Sequence, residues 1–170
     1  SDFLVKKTAK IGMFIALAMI FSYIEAIIPI NFGIPGIKLG IANIVVVTSL
    51  YVLGFKETIG ISLIRILLMG ILFGNVFSLI YSFSGGILSL MGMIICKKFK
   101  LFSTVGVSVV GGVLHNLGQL IAASIVLNNL SIAYYFSVLL VSGVVTGFVI
   151  GIVSTKVIKI LTSTKMKVFN

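Results

Sequence analysis

The chain is poor in almost everything that a soluble enzyme uses. Of its 170 residues, 9% are charged and three are acidic: Asp2, Glu25 and Glu57. There is one histidine, His115, one cysteine, Cys96, and two prolines, Pro29 and Pro35. Each scarcity excludes something. Glu25 and Glu57 are expected at opposite faces of a membrane, so no acidic pair or aspartate-rich cluster is available to hold Mg²⁺ for diphosphate chemistry. One histidine and one cysteine cannot complete a zinc site, so no metal or other cofactor is expected. A lone cysteine forms no internal disulfide, and Cys96, beside Lys97 and Lys98, is expected to serve packing. No Walker A motif is present, so an ATP-driven cycle would need another chain. The chain is accordingly not expected to be an enzyme.

What is abundant is apolar: 59% of residues are hydrophobic, with a mean hydropathy of +1.30. A soluble domain is about 45–50% apolar and about 25% charged. A chain this short cannot hide that much apolar surface in its own core, whereas lipid removes the need to. The net charge of +10 does not point to nucleic acid, because the cations are spaced by long apolar runs. Of thirteen Lys and Arg residues, eleven fall in four groups: Lys6, Lys7 and Lys10; Lys56; Lys97, Lys98 and Lys100; and Lys156, Lys159, Lys165 and Lys167. This is the pattern of alternate loops kept on the cytoplasmic side, with a secondary attraction to anionic lipid headgroups.

The sequence predicts an all-α polytopic bundle in one membrane domain over residues 1–170. Six helices are expected, at about 4–28, 38–53, 56–73, 75–96, 102–127 and 134–161. Six crossings put every basic group on one side, with both termini cytoplasmic, in the plasma membrane of a prokaryote. Helices 2 and 3 are short and joined by a tight turn, so partial re-entry is an open alternative. The first apolar stretch is too long for a signal-peptide core and lacks a small-x-small cleavage site, so a retained helix is expected. The sequon at Asn129-Leu130-Ser131 is read as chance. The segment 29–36, with both prolines, Gly33 and Gly36, is expected outside as a stiffened loop above the bundle.

Small residues recur at close-packing spacing. Gly143, Gly147 and Gly151 share one face of helix 6, and Gly70/Gly74 and Gly36/Gly40 repeat the spacing. Packing within the chain accounts for these. Gly12 and Ala16 on helix 1 fit either internal packing or a docking face for another membrane subunit.

Ionisable groups inside a bilayer are costly and usually functional. Glu25, Lys38 and Arg65 lie away from the cytoplasmic face. Arg65 is nine residues past Lys56, about 13 Å along a helix, and therefore near mid-membrane. Neutral polar residues gather toward the outer half: Asn43, Ser78, Tyr81, His115, Asn116 and Gln119. Their convergence predicts a binding pocket open to the outside over an apolar floor. Lys38 and Arg65, with His115 as a donor, suit a carboxylate or phosphate. Plainer readings stay open: Arg65–Glu25 as a structural ion pair, His115 as a tie between helices, and Lys38 among headgroups. Tyr134 and Tyr135 are read as interfacial anchors.

Four polar islands carry a family resemblance: Asn31-Phe32-Gly33-Ile34-Pro35-Gly36-Ile37-Lys38-Leu39-Gly40-Ile41-Ala42-Asn43, Ser62-Leu63-Ile64-Arg65, Ser78-Leu79-Ile80-Tyr81-Ser82-Phe83-Ser84-Gly85-Gly86, and His115-Asn116-Leu117-Gly118-Gln119. Over roughly residues 10–160 the chain resembles the Gx transporter family, also labelled heptaprenyl diphosphate synthase component I. That family is similar to the substrate-binding S components of energy-coupling factor (ECF) importers. The resemblance implies a six-helix binding subunit for a small anionic nutrient or an isoprenoid or quinone precursor. It also implies docking, through small residues on helix 1, onto a transmembrane coupling subunit that carries two ATPases. Gly12 and Ala16 match that docking pattern, with Gly in place of Ala at the first position. The synthase label implies instead a membrane accessory subunit of prenyl diphosphate synthesis. The missing aspartates argue against catalysis by this chain.

Overall fold

A computed structural model describes residues 2–28 and 40–168, with side chains described to residue 164. Within these residues the chain is all-helical: α1 (Asp2–Ile27), α2 (Asn43–Val52), α3 (Phe55–Phe73), α4 (Val76–Lys98), α5 (Thr104–Val126), a 3-10 turn (Leu130–Tyr135) and α6 (Phe136–Val168). The expected outer loop over residues 29–36, and Lys38, lie outside the described residues.

Local chemistry sets the helix limits. Asn75 and Ser78 form a reciprocal capping box at the start of α4: the Ser78 N–H donates to Asn75 Oδ1 at 2.8 Å, and the Asn75 N–H donates to Ser78 Oγ at 3.0 Å. Ser103 caps α5 by accepting from the Gly106 N–H. Between α2 and α3 the chain reverses at Gly54, whose φ of 111° suits a residue without Cβ.

Among the described residues, four spans are long and apolar enough to cross a membrane: α1, α4, α5, and the 3-10 turn together with α6. Their surfaces are inverted relative to a soluble protein. Phe3, Met13, Ile20, Ile71, Ile125, Val141 and Phe148 are all more than half exposed, whereas Ser22, Ser49, Thr58, Ser89, Ser108 and Ser154 are buried. An apolar exterior this extensive calls for lipid.

Backbone-to-backbone contact joins the last helices. A Cβ at Gly147 would stand 2.7 Å from Val109 Cα, and one at Gly151 would stand 2.8 Å from Val105 Cα. The glycine stripe of α6 thus lies directly on α5. Ser108 Oγ donates to the Gly147 carbonyl at 2.7 Å, and Asn116 Nδ2 donates to the Leu139 carbonyl at 2.8 Å. In lipid these close contacts and hydrogen bonds replace the hydrophobic effect as the force between helices.

The helix expected over residues 38–53 differs most from expectation. It begins only at Asn43, because Gly40 adopts a φ of 84° and Ile41–Ala42 form a turn. Ten residues rise about 15 Å, half of the roughly 30 Å hydrocarbon core. This short helix is nevertheless the hub. Val46, Val47 and Leu50 pack with Leu90, Met93 and Cys96 of α4, Val107 of α5 and Ile150 of α6. On its other side Val45 meets Phe14 and Ala18 of α1 and Ile61 of α3. Its last turn is capped by a cation, as Lys97 Nζ donates to the Leu50 carbonyl and lies 4.7 Å from the Tyr51 ring centroid. Lys7 Nζ pairs with Glu57 at 2.6 Å, bringing the starts of α1 and α3 together. Three of the basic groups are thereby placed near the C-terminal end of α2.

Candidate functional site

The opposite end of α2 stops inside the bundle. A Cβ at Gly40 would stand 3.3 Å from His115 Cδ2, 3.5 Å from His115 Nε2 and 3.4 Å from Asn43 Nδ2. His115 is the twelfth of the 23 residues of α5, so α2 begins at that helix's mid-depth. Only glycine fits here, since it supplies both the positive φ and the close approach to the imidazole.

Polar groups surround this start. The Gly40 N–H donates to Glu25 Oε1 from the last turns of α1. Arg65, from the middle of α3, lies within electrostatic reach of Glu25. Its Nη1 donates to Ser22 Oγ at 3.1 Å, one turn before Glu25 on α1. Its Nε has no hydrogen-bond partner among the described residues. On the far side of His115, α4 comes close: a Cβ at Gly85 would stand 3.2 Å from His115 Nδ1 and 2.8 Å from Gln119 Cγ. The relation of His115 to Gln119 follows from helix periodicity, four residues placing both on one face. Glu25, Asn43, Arg65, His115 and Gln119 each retain 8% exposure or less. Four helices therefore contribute to one buried assembly of an acid, a guanidinium, an imidazole and two amides, with α4 packed against it at Gly85.

Other residues singled out in the sequence stand elsewhere. Asn116, beside His115, points its amide to the Leu139 carbonyl of α6. Ser78 is occupied at the start of α4 in the capping box with Asn75. Tyr81 is 2% exposed and packs with Leu120, Ala123, Ile132 and Leu139. Gly12 and Ala16 lie on the exposed side of α1, and a Cβ at Gly12 would meet nothing within 4 Å. Ser22 and Gly40 join the cluster although sequence reasoning gave neither a place in it. Ser22 had a signal, three residues before Glu25 on the same helix face. Gly40 had been assigned to a close-packing motif.

The arrangement can hold an anion. A helix start offers backbone N–H groups and the positive end of the helix dipole, and a guanidinium offers a planar fork of donors. Imidazole and amide groups beside them supply directional hydrogen bonds. Among the described residues, no three or more His, Cys, Asp and Glu side chains gather where a metal ion could be held. Asp2 is exposed at the start of α1 and Glu57 is engaged with Lys7, both remote in the chain from Glu25.

Comparison with known proteins gives one match, to the family model described as heptaprenyl diphosphate synthase component I, over residues 14–157. No curated protein matches the chain, and no solved structure does. The matched span contains the whole described cluster, from Ser22 to Gln119. With that span covering most of its length, the chain belongs to the heptaprenyl diphosphate synthase component I family.

Proposed function

We propose that this protein is the substrate-binding subunit of an ECF-type importer in a prokaryotic plasma membrane. Its ligand is a small anionic nutrient or an isoprenoid or quinone precursor captured from outside. The observation that carries this reading is the half-length helix α2, which starts at mid-depth beside Arg65, Glu25 and His115. Transporters commonly place broken helix ends at the membrane midplane to bind charged substrates. A purely structural bundle has no need of a buried guanidinium there.

In this reading the chain forms one membrane domain with six crossings, the short α2 supplying the inner part of the second. Both termini are cytoplasmic, as is the end of the bundle that carries Lys7, Lys56 and Lys97. Glu25, Asn43, Arg65, His115 and Gln119 form the ligand site, with Lys38 as a further contact. The exposed side of α1, with Gly12 and Ala16, meets the transmembrane coupling subunit and, through it, two ATPases. Membrane lipids cover the rest. The chain itself performs no catalysis and takes no cofactor.

The family description favours a second reading, a non-catalytic accessory subunit of prenyl diphosphate synthesis. The two differ in the side from which the cluster is reached. Mass spectrometry of small molecules co-purifying with the protein tests the first directly. The wild type is expected to carry a bound small molecule, and Arg65→Lys to lose at least about tenfold of it, equivalent to ~1.4 kcal/mol. Equal retention in the two proteins removes Arg65 from the site. A bound prenyl diphosphate, together with co-purification of a prenyl synthase, selects the second reading.

A further inference from the structure

The α2 start and Arg65 attract an anion, and this molecule supplies one of its own. Ala42, at the N-cap of α2, has no side-chain oxygen and makes no side-chain cap. The carboxylate reaching this helix start comes from α1, where Glu25 Oε1 accepts the Gly40 N–H. Glu25 also lies within electrostatic reach of Arg65, whose Nη1 is bonded to Ser22 while its Nε, in a residue 8% exposed, lacks a partner among the described residues. A buried guanidinium normally uses its donors fully. Here the hydrogen bond to the Ser22 hydroxyl leaves donor capacity over.

We infer that Glu25 is a resident carboxylate in an anion seat, and that a carboxylate of a ligand takes the seat over from it. This deepens the proposed function and rests on that reading only in treating the cluster as a ligand site. A carboxylate fits because its two oxygens match the guanidinium fork and the backbone N–H together. Glu25 then determines specificity: it keeps the seat filled, so a ligand needs further contacts, at Asn43, His115 or Gln119, to displace it. A small carboxylate with no such contacts does not bind the wild type.

Thermal unfolding of the purified full chain in detergent, titrated with sodium acetate at constant ionic strength, tests the inference. Glu25→Ala vacates the seat. This variant is expected to melt below the wild type and to recover most of the loss, saturably, as acetate rises. The wild type and the double variant Glu25→Ala/Arg65→Gln are expected not to respond. Equal responses in all three proteins, or none in Glu25→Ala, overturn the inference and leave Glu25 a fixed structural contact. Should Glu25→Ala fail to assemble, Glu25→Gln keeps the volume while removing the charge. It too is expected to gain stability saturably as acetate rises, a response that adding Arg65→Gln removes; no response in Glu25→Gln overturns the inference. Acetate rescue with no co-purifying small molecule in the wild type keeps the seat and removes the import reading. A co-purified molecule held equally by wild type and Glu25→Ala, with no acetate response, does the reverse.

Discussion

Arg65 and Glu25 are each costly in an apolar bundle and lie within electrostatic reach of each other. Removing one partner of a buried pair leaves an uncompensated charge, at a cost of about 3–5 kcal/mol in proteins generally. Arg65→Ala is therefore expected to lower the melting temperature sharply. Arg65→Lys, which keeps the charge but loses the planar fork that reaches Ser22, should lower it much less. Parallel melting curves in one detergent compare the two, and equal losses would show that geometry, not charge, is what matters there. Gly40→Ala is a second case: a φ of 84° strains any residue with a Cβ, and His115 Cδ2 would lie 3.3 Å away. The expected cost is on the order of 1–3 kcal/mol, with loss of bound ligand because the backbone N–H of residue 40 and the α2 start shift.

These residues also mark how far the sequence could be read. Glu25, Arg65 and His115 stand out by rarity alone, since charge and imidazole in an apolar run have few neutral explanations. Polarity could not say where a side chain points. His115 and Asn116 are neighbours in sequence, yet one lies by Gly40 and the other bonds to Leu139 of α6. Ser78 looked like a lining residue, but a serine three places after an N-cap asparagine has a local partner at hand. Tyr81 reads as polar by its hydroxyl, while its ring fills the apolar space between α5 and α6.

Among elements, α2 was the least legible. Its flanking sequence is apolar from Leu39 to Ala42, and hydropathy continues without a break through Gly40. The backbone turn at Gly40 depends on contacts with α1 and α5 that no local window contains. The ends of α4 and α5 were easier, because Asn75 and Ser103 are cap residues and Lys97 and Lys98 favour a helix C-terminus. Lys97 carries a prediction here. Its ammonium serves the Leu50 carbonyl at the end of α2. Lys97→Met keeps the apolar stem and removes that bond, and a loss of about 1–2 kcal/mol is expected. An unchanged melting temperature would show that water or another residue substitutes. Glycines on two helices give a contrast of the same kind. Gly147→Ala forces a Cβ to within 2.7 Å of Val109 Cα, so α5 and α6 must separate, whereas a Cβ at Gly12 meets nothing within 4 Å. Gly147→Ala is expected to destabilise by about 1–3 kcal/mol. Gly12→Ala should leave unfolding unchanged, and similar melting curves for both would contradict the packing described for α6.

At the scale of the whole molecule, polar side chains such as Ser22, Glu25, Arg65 and His115 lie inside while large apolar ones cover much of the described exterior, so exposure marks lipid contact and a buried polar group marks candidate function. The exterior offers one asymmetry of note: Gly12 and Ala16 leave a shallow strip of small residues on the exposed side of α1. Under the importer reading this strip is a docking surface, and a bulky Gly12→Leu is expected to abolish co-purification of coupling subunits while leaving bound ligand in place.

The central claim is that the α2 start forms a ligand site reached from outside the cell. Thiol labelling tests it most directly, with Asn43→Cys in a Cys96→Ala background and a membrane-impermeant maleimide applied to intact cells and to inside-out vesicles. The account predicts labelling from the outside, and protection by the co-purifying small molecule. Labelling only from the cytoplasmic side, or labelling that the ligand does not slow, would contradict it.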